Sequence, residues 1–175
     1  MIQQSMRSAA LFAATALVLW AFGVQGAEAA AADACGLIPA ADVTRIVGNA
    51  APIARQQAPV DRDGVKVSSC VYQQASGAGS TGNVQFNTYA SSAAAQAGLK
   101  AYVEAMVKLG ATAQADTAAG LPATFVTTAR GSGEMYVVKG NVLLGAGVGT
   151  LSAEHKTVPE RDRSRDLLAA AVAGL

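Results

Sequence analysis

Three stretches of the chain space their apolar residues at helical intervals, and most of the remainder alternates as strands do. A first helix is expected over Pro39 to Val47, where Val43, Ile46 and Val47 share one face. Pro39 suits a first helical position, and Gly48 a position just past the end. The clearest helix is expected over Ser91 to Leu109. Ala95, Leu99, Tyr102, Val103, Met106 and Leu109 make its apolar stripe, while Gln96, Lys100, Glu104 and Lys108 line its wet face. Ser91 or Ser92 can cap its start, and Gly110 ends it. A third helix is expected to open at Pro159. Its first half is charged (Glu160 to Asp166, ERDRSRD), and its second half carries Leu167, Leu168, Ala171, Val172 and Leu175 toward the core.

Strands are expected between these helices. Ile53 to Val60 leads to a hairpin signal at Asp63-Gly64, and Val65 to Gln73 returns. In that second strand Val67, Ser69 and Val71 point one way and Ser68, Cys70 and Tyr72 the other. Ser76 to Gly82 reads as a loop, and Asn83 to Tyr89 as a strand with Val84 and Phe86 on one face and Gln85 and Asn87 on the other. After the long helix come Ala111 to Thr117, a turn at Gly120-Leu121-Pro122, and Ala123 to Ala129. A turn at 130–133 leads into Glu134 to Lys139, then Gly140-Asn141 and Val142 to Val148. The later strands read as an antiparallel meander. Gly145, Gly147 and Gly149 imply twist, a bulge or close approach of another backbone. The order of elements predicts a single α+β domain, a mostly antiparallel sheet packed by about three helices.

The N-terminal stretch changes this picture. Met1 to Ala29 reads as a secretory signal peptide: Arg7, an apolar run from Ala9 to Val24, and small residues at Ala27-Glu28-Ala29. A membrane anchor is the competing reading, but the run is shorter than the ~20 residues that span a bilayer. Ala30 to Ala34 then forms a flexible leader, and the domain runs from Cys35 to Leu175. The expected location is periplasmic or secreted, with no stable membrane span after cleavage. Export favours a disulfide between the two cysteines, Cys35 and Cys70. A lipid on Cys35, or two free or metal-binding thiols, are the alternatives. Charged residues make up 14% of the chain and the formal net charge is +1, a balance that gives no reason to expect nucleic acid as a partner.

Candidate chemistry is sparse. Gly77 to Gly82 matches G-x-G-x-x-G, but a strand follows it rather than a helix. Ser132 lies in a turn between strands and not in a nucleophile elbow. Asp61-Arg62-Asp63-Gly64 lacks the further ligands of a calcium loop. Arg161, Arg163 and Arg165 alternate with Asp162 and Asp166, which reads as a solvated, self-compensated helix face. His155 is the only histidine and sits in a polar connection. No catalytic residues, no metal site and no cofactor are expected. The candidate ligand groove is placed beside Tyr89, Tyr136, Gly145 and Gly147, where missing side chains leave room on a strand.

One pattern resembles a known group. Cys35, Leu37-Ile38-Pro39-Ala40-Ala41-Asp42-Val43 and Gly48 precede Ser69-Cys70-Val71-Tyr72; a Gly120-Leu121-Pro122-Ala123 turn, a strand meander and a terminal helix follow. This resembles small secreted or lipid-anchored envelope domains best known from actinobacterial lipoproteins, over Cys35 to Leu175. The chain departs from the lipoprotein form because Cys35 lacks a lipid-attachment context. The resemblance implies a fold similar to the PsbP/Mog1-like α/β sandwich and a non-catalytic binding or accessory role. The functional expectation is therefore an exported binding module of the cell envelope, with an envelope protein, a peptide or a small apolar ligand as its partner. An exported hydrolase-like enzyme assembled around His155 is the alternative, and an inhibitor-like interaction protein a third reading.

Overall fold

The computed structural model describes residues 33–48, 53–73, 79–151 and 157–175. The signal segment, residues 30–32 of the leader, residues 76–78 of the Ser76–Gly82 loop and His155 lie outside the described residues. In chain order the elements are α1 (Ala40–Val47), β1 (Ile53–Arg62), β2 (Val65–Gln73), β3 (Ser80–Thr88), α2 (Ser92–Lys108), β4 (Thr112–Ala118), β5 (Leu121–Thr127), β6 (Gly133–Lys139), β7 (Val142–Leu151), β8 (Thr157–Pro159) and α3 (Arg161–Ala173).

Every strand pairing is antiparallel, and the sheet runs β1-β2-β3-β7-β6-β5-β4, with β8 added to the end of β7. Two meanders, β1-β2-β3 and β4-β5-β6-β7, meet along β3 and β7. Tight turns make each meander. Asp63 and Gly64 take φ of 54° and 78°, the left-handed pair that a two-residue hairpin requires. The turn expected at Gly120-Leu121-Pro122 falls one position earlier, because Ala119 and Gly120 carry the positive φ values and Leu121 and Pro122 already belong to β5.

The sheet has helices on both faces. α1 and α3 cover one, over Cys70, Tyr72, Val84, Phe86, Phe125, Met135, Val137, Leu144, Ala146 and Val148. α2 packs on the other, through Leu99, Tyr102, Val103 and Met106 against Val126, Tyr136 and Leu143. β2 shows how the choice of face is made. Its valines 67 and 71 are only half-buried, while Ser68, Cys70 and Tyr72 are buried, the last two in the core that α1 and α3 cover. The Cys35–Cys70 disulfide, with a Cα–Cα distance of 5.0 Å, ties this face of β2 to the segment leading into α1. Closing a loop of this length stabilises the fold by about 4 kcal/mol on a chain-entropy basis.

The helix ends follow their local chemistry. Pro39 stands at the N-cap of α1, and Gly48 ends the helix at φ 78°. Ser91 caps α2 by accepting from the Ala94 N–H at 3.1 Å. Leu109 is the C-cap residue, where helical periodicity has stopped, and it is 75% exposed instead of joining the apolar stripe. Pro159 closes β8 rather than opening the last helix, which begins at Arg161. Gly82, expected in a loop, sits inside β3 opposite Val148; a Cβ there would lie 2.8 Å from Val47 Cγ2, so glycine lets α1 approach the sheet.

The charged start of α3 is not a solvated face. Arg161 and Arg165 both reach Asp116 of β4 at 2.8 Å, and the Asp116 side chain is only 9% exposed. Their guanidinium groups, Arg165 foremost, hold the Asp116 carboxyl well below the usual range. Arg161 also lies over the Phe125 ring at 5.6 Å. Arg163 points the other way and donates to the carbonyls of Ile46 (2.6 Å) and Val47 and to Ser80 Oγ. It thereby places a cation at the C-terminal end of α1, where the helix dipole favours one.

Ser164 is fully buried on the apolar side of α3, and β7 explains it. The β6 ladder stops at Ala146 and the β8 ladder starts at Gly149, so Val148 falls between partners. Its N–H donates to Ser164 Oγ at 2.9 Å and its carbonyl accepts from the Glu160 N–H at 2.9 Å. Ser164 passes its own proton to the Glu160 carbonyl at 2.8 Å. Ser164→Ala strands a buried N–H and should cost about 1–3 kcal/mol. Urea unfolding should show this as a lower midpoint with an unchanged slope; an unchanged midpoint would mean that Val148 has another acceptor.

Candidate binding cleft

The centre of the sheet carries glycines at alternate positions on the face that α2 shares. Gly145, Gly147 and Gly149 of β7 stand opposite Gln85, Asn83 and Thr81 of β3. On the other side Tyr136 of β6 stands opposite Gly145, which brings Glu134 level with Gly147. With no side chain on β7, groups from β3 and β6 meet above it, although the two strands are not neighbours.

Two such meetings occur. The Tyr136 ring lies over Gly145, where a Cβ would come within 2.6 Å of Cε1. Over Gly147, Asn83 Nδ2 donates to Glu134 Oε1 at 2.9 Å. Tyr136 continues the chain: its hydroxyl donates to Glu134 Oε2 and lies 2.8 Å from the Tyr102 hydroxyl of α2. A phenol has one proton. With that of Tyr136 given to the carboxylate, Tyr102 supplies the proton between the two rings, whose centroids are 4.9 Å apart. The sequence Tyr102, Tyr136, Glu134, Asn83 is thus a continuous hydrogen-bonded line from α2 across β6 to β3.

A cleft of about 180 Å³ opens beside this line, lined by Thr81, Asn83, Gly133, Glu134, Gly147 and Gly149 among others. Ser132 stands at its rim. The Ser132 hydroxyl and Thr128 Oγ1 are 2.7 Å apart, and the Thr128 N–H donates to the Ser132 carbonyl. Ser132 therefore belongs to a self-bonded hairpin tip. Of the four residues expected to form the groove, Gly147 lines the cleft, Tyr136 anchors its carboxylate, and Gly145 lies beneath the Tyr136 ring. Tyr89 sits elsewhere. Its hydroxyl end occupies the place of a Cβ on Gly98 of α2, and its backbone pairs with Asn141, just before β7 and roughly 20 Å from Gly147 at strand rise.

Glu134 did not stand out in the sequence from the other scattered carboxylates. A signal was present: Glu134 and Tyr136 share a strand face, and the strand that follows their hairpin carries glycine at every second position. Among the described residues no three of His, Cys, Asp and Glu gather closely enough to hold a metal ion. No family model matches the chain, and no curated protein matches it either.

Burial pushes the Tyr136 hydroxyl far above the ordinary tyrosine value, and the adjacent Glu134 charge pushes it further. Tyr102 is also raised, chiefly by burial. On the opposite face, burial and then the Asp33 charge lift Tyr72 to about 12. Below pH 10.0, the ordinary value, folded and unfolded chains both keep these protons. Above it the unfolded phenols ionise while the folded ones do not, so stability falls as pH rises through the window up to about 12. Alkaline unfolding followed by circular dichroism and tyrosinate absorbance should begin above pH 10, and Tyr136→Phe should make the loss shallower. Identical alkaline limbs for the two proteins would contradict this account.

Proposed function

We propose that the chain is an exported binding module of the cell envelope that takes a peptide segment of a partner protein on the α2 side of its sheet. One observation carries the reading: α2 packs on β4, β6 and β7, and the neighbouring half of the same face mixes polar side chains with half-buried valines, is partly exposed and ends in the Glu134 cleft. On that half stand Arg55 and Gln57 of β1, Val67, Ser69 and Val71 of β2, and Asn83, Gln85 and Asn87 of β3. Amide side chains both donate and accept, which suits the alternating N–H and C=O groups of an extended peptide. Amides beside half-buried valines favour a peptide, which has a polar backbone and apolar side chains, over a small apolar ligand.

The disulfide is consistent with an extracellular or periplasmic location. Among the described residues no helix is long and apolar enough to cross a membrane. The signal peptide expected at Met1 to Ala29 belongs to the same proposal.

A photo-crosslinking residue at Gln85, on the open face, tests the reading against one at Lys100, on the outer side of α2. Cells carrying the Gln85 probe should yield a discrete crosslinked polypeptide that the Lys100 probe does not. Equal crosslinking from both positions, or none from Gln85, would overturn the assignment of this face.

A further inference from the structure

Acceptors crowd together at the Gly147 side of the cleft. A Cβ on Gly147 would meet Asn83 Oδ1 at 2.7 Å, the Gly133 carbonyl oxygen at 2.9 Å and Glu134 Cγ at 2.9 Å. The orientation of the Asn83 amide follows from chemistry: a carboxylate only accepts, so the group bonded to Glu134 Oε1 at 2.9 Å is Nδ2, and Oδ1 faces the floor. Glu134 receives one donor on each oxygen, Asn83 on Oε1 and Tyr136 on Oε2. Each oxygen keeps further lone-pair capacity. Both donors are neutral. The ion pairs among the described residues engage Asp42, Glu104, Asp116 and Asp162, and leave the Glu134 charge uncompensated.

A single negative charge among convergent oxygens calls for a cation with several donors. A primary ammonium has three N–H donors on one compact positive centre. A guanidinium is planar and calls for a carboxylate edge free to accept two parallel bonds, and the two oxygens here are already engaged separately. A cleft of about 180 Å³ is smaller than the ~300 Å³ at which sites for whole small molecules begin. It fits the end of a chain.

We infer that the cleft beside Gly147 takes a primary ammonium group, presented by a lysine side chain or by the amino terminus of a peptide. Glu134 supplies the charge, Asn83 Oδ1 and the Gly133 carbonyl supply directed acceptors, and Gly147, having no side chain, leaves Asn83 and Glu134 room to meet. Tyr136 acts through Glu134 by fixing the carboxylate. This inference rests on the open face being the binding surface and names what that surface reads.

Amide NMR titration of the disulfide-intact protein tests it, with Gly147 and the Asn83 side-chain amide as reporters. The probes are Nα-acetyl-lysine amide, glycine amide and tetramethylammonium chloride. One or both amines should give saturable shifts at the reporters, and which of them does so distinguishes a lysine side chain from an amino terminus. Tetramethylammonium has the charge without the donors and should not. Glu134→Gln keeps the shape and removes the charge; it should weaken amine binding at least about tenfold while distant amide signals stay in place. Gly147→Ala, whose Cβ would collide with Asn83 and Glu134 and push them apart, should abolish binding. Silent reporters with both amines, or equal shifts with tetramethylammonium, would overturn the ammonium assignment. An acetylated, lysine-free peptide that shifts the same reporters while the amines do not would overturn it too, yet leave the face as a binding surface.

Discussion

The pairing of β3 with β7 is the constraint on which the molecule depends. Nine residue pairs, from Ser80↔Thr150 to Thr88↔Val142, join two meanders that are otherwise separate hairpin systems. The contact is far from local, so its loop-closure cost must be met by what it brings together. On one face it aligns Val84 and Phe86 with Leu144, Ala146 and Val148 under α3. On the other it sets Asn83 against Gly147 and within reach of Glu134. A slip of one residue would exchange these two faces, burying amides and exposing the core. Fold and cleft therefore rest on the same register.

α3 secures that arrangement at several points along its first turns. Arg163 holds the end of α1, Ser164 completes the backbone of β7, and Arg161 and Arg165 hold β4 through Asp116. One short polar run thus reaches the first helix, the centre of the sheet and its far edge. α2 has a lighter attachment: only Ala95 is fully buried within it, and its tyrosine connects to the cleft through a hydrogen bond. The helix linked to the cleft through Tyr102 and Tyr136 is the one less tightly packed on the sheet, and the lining of the cleft comes mainly from β3, β6 and β7.

Much of the fold was legible because its signals are local. The Val43, Ile46 and Val47 stripe, the Ser91 cap, the Asp63-Gly64 turn and the alternation of Val84 and Phe86 each act within a few residues. The disulfide was legible because only two cysteines are present. Other features depend on partners far along the chain. Nothing near Arg163 reveals that its acceptors are the carbonyls of Ile46 and Val47, and nothing near Asp116 reveals two arginines on the last helix. The face of β2 was undetermined because valines stand on one side and Cys70 and Tyr72 on the other; the disulfide and the core shared with α1 and α3 decide it. At the candidate site the glycines marked β7 in the sequence, since a strand without side chains must admit something. What enters is the Tyr136 ring over Gly145 and the Asn83–Glu134 bond over Gly147. Tyr89 lies against Gly98 of α2 and pairs with Asn141, away from Gly147, a separation that strand alternation does not show because it gives the face and not the position along it.

The central claim is that the β3–β7 register brings Asn83 and Glu134 together across a glycine. A double-mutant cycle measures it directly, with Asn83→Ala, Glu134→Ala and the double variant compared by equilibrium unfolding. The account predicts a coupling energy of at least about 0.5 kcal/mol. Additivity within about 0.3 kcal/mol would contradict it, because two side chains that do not meet do not couple.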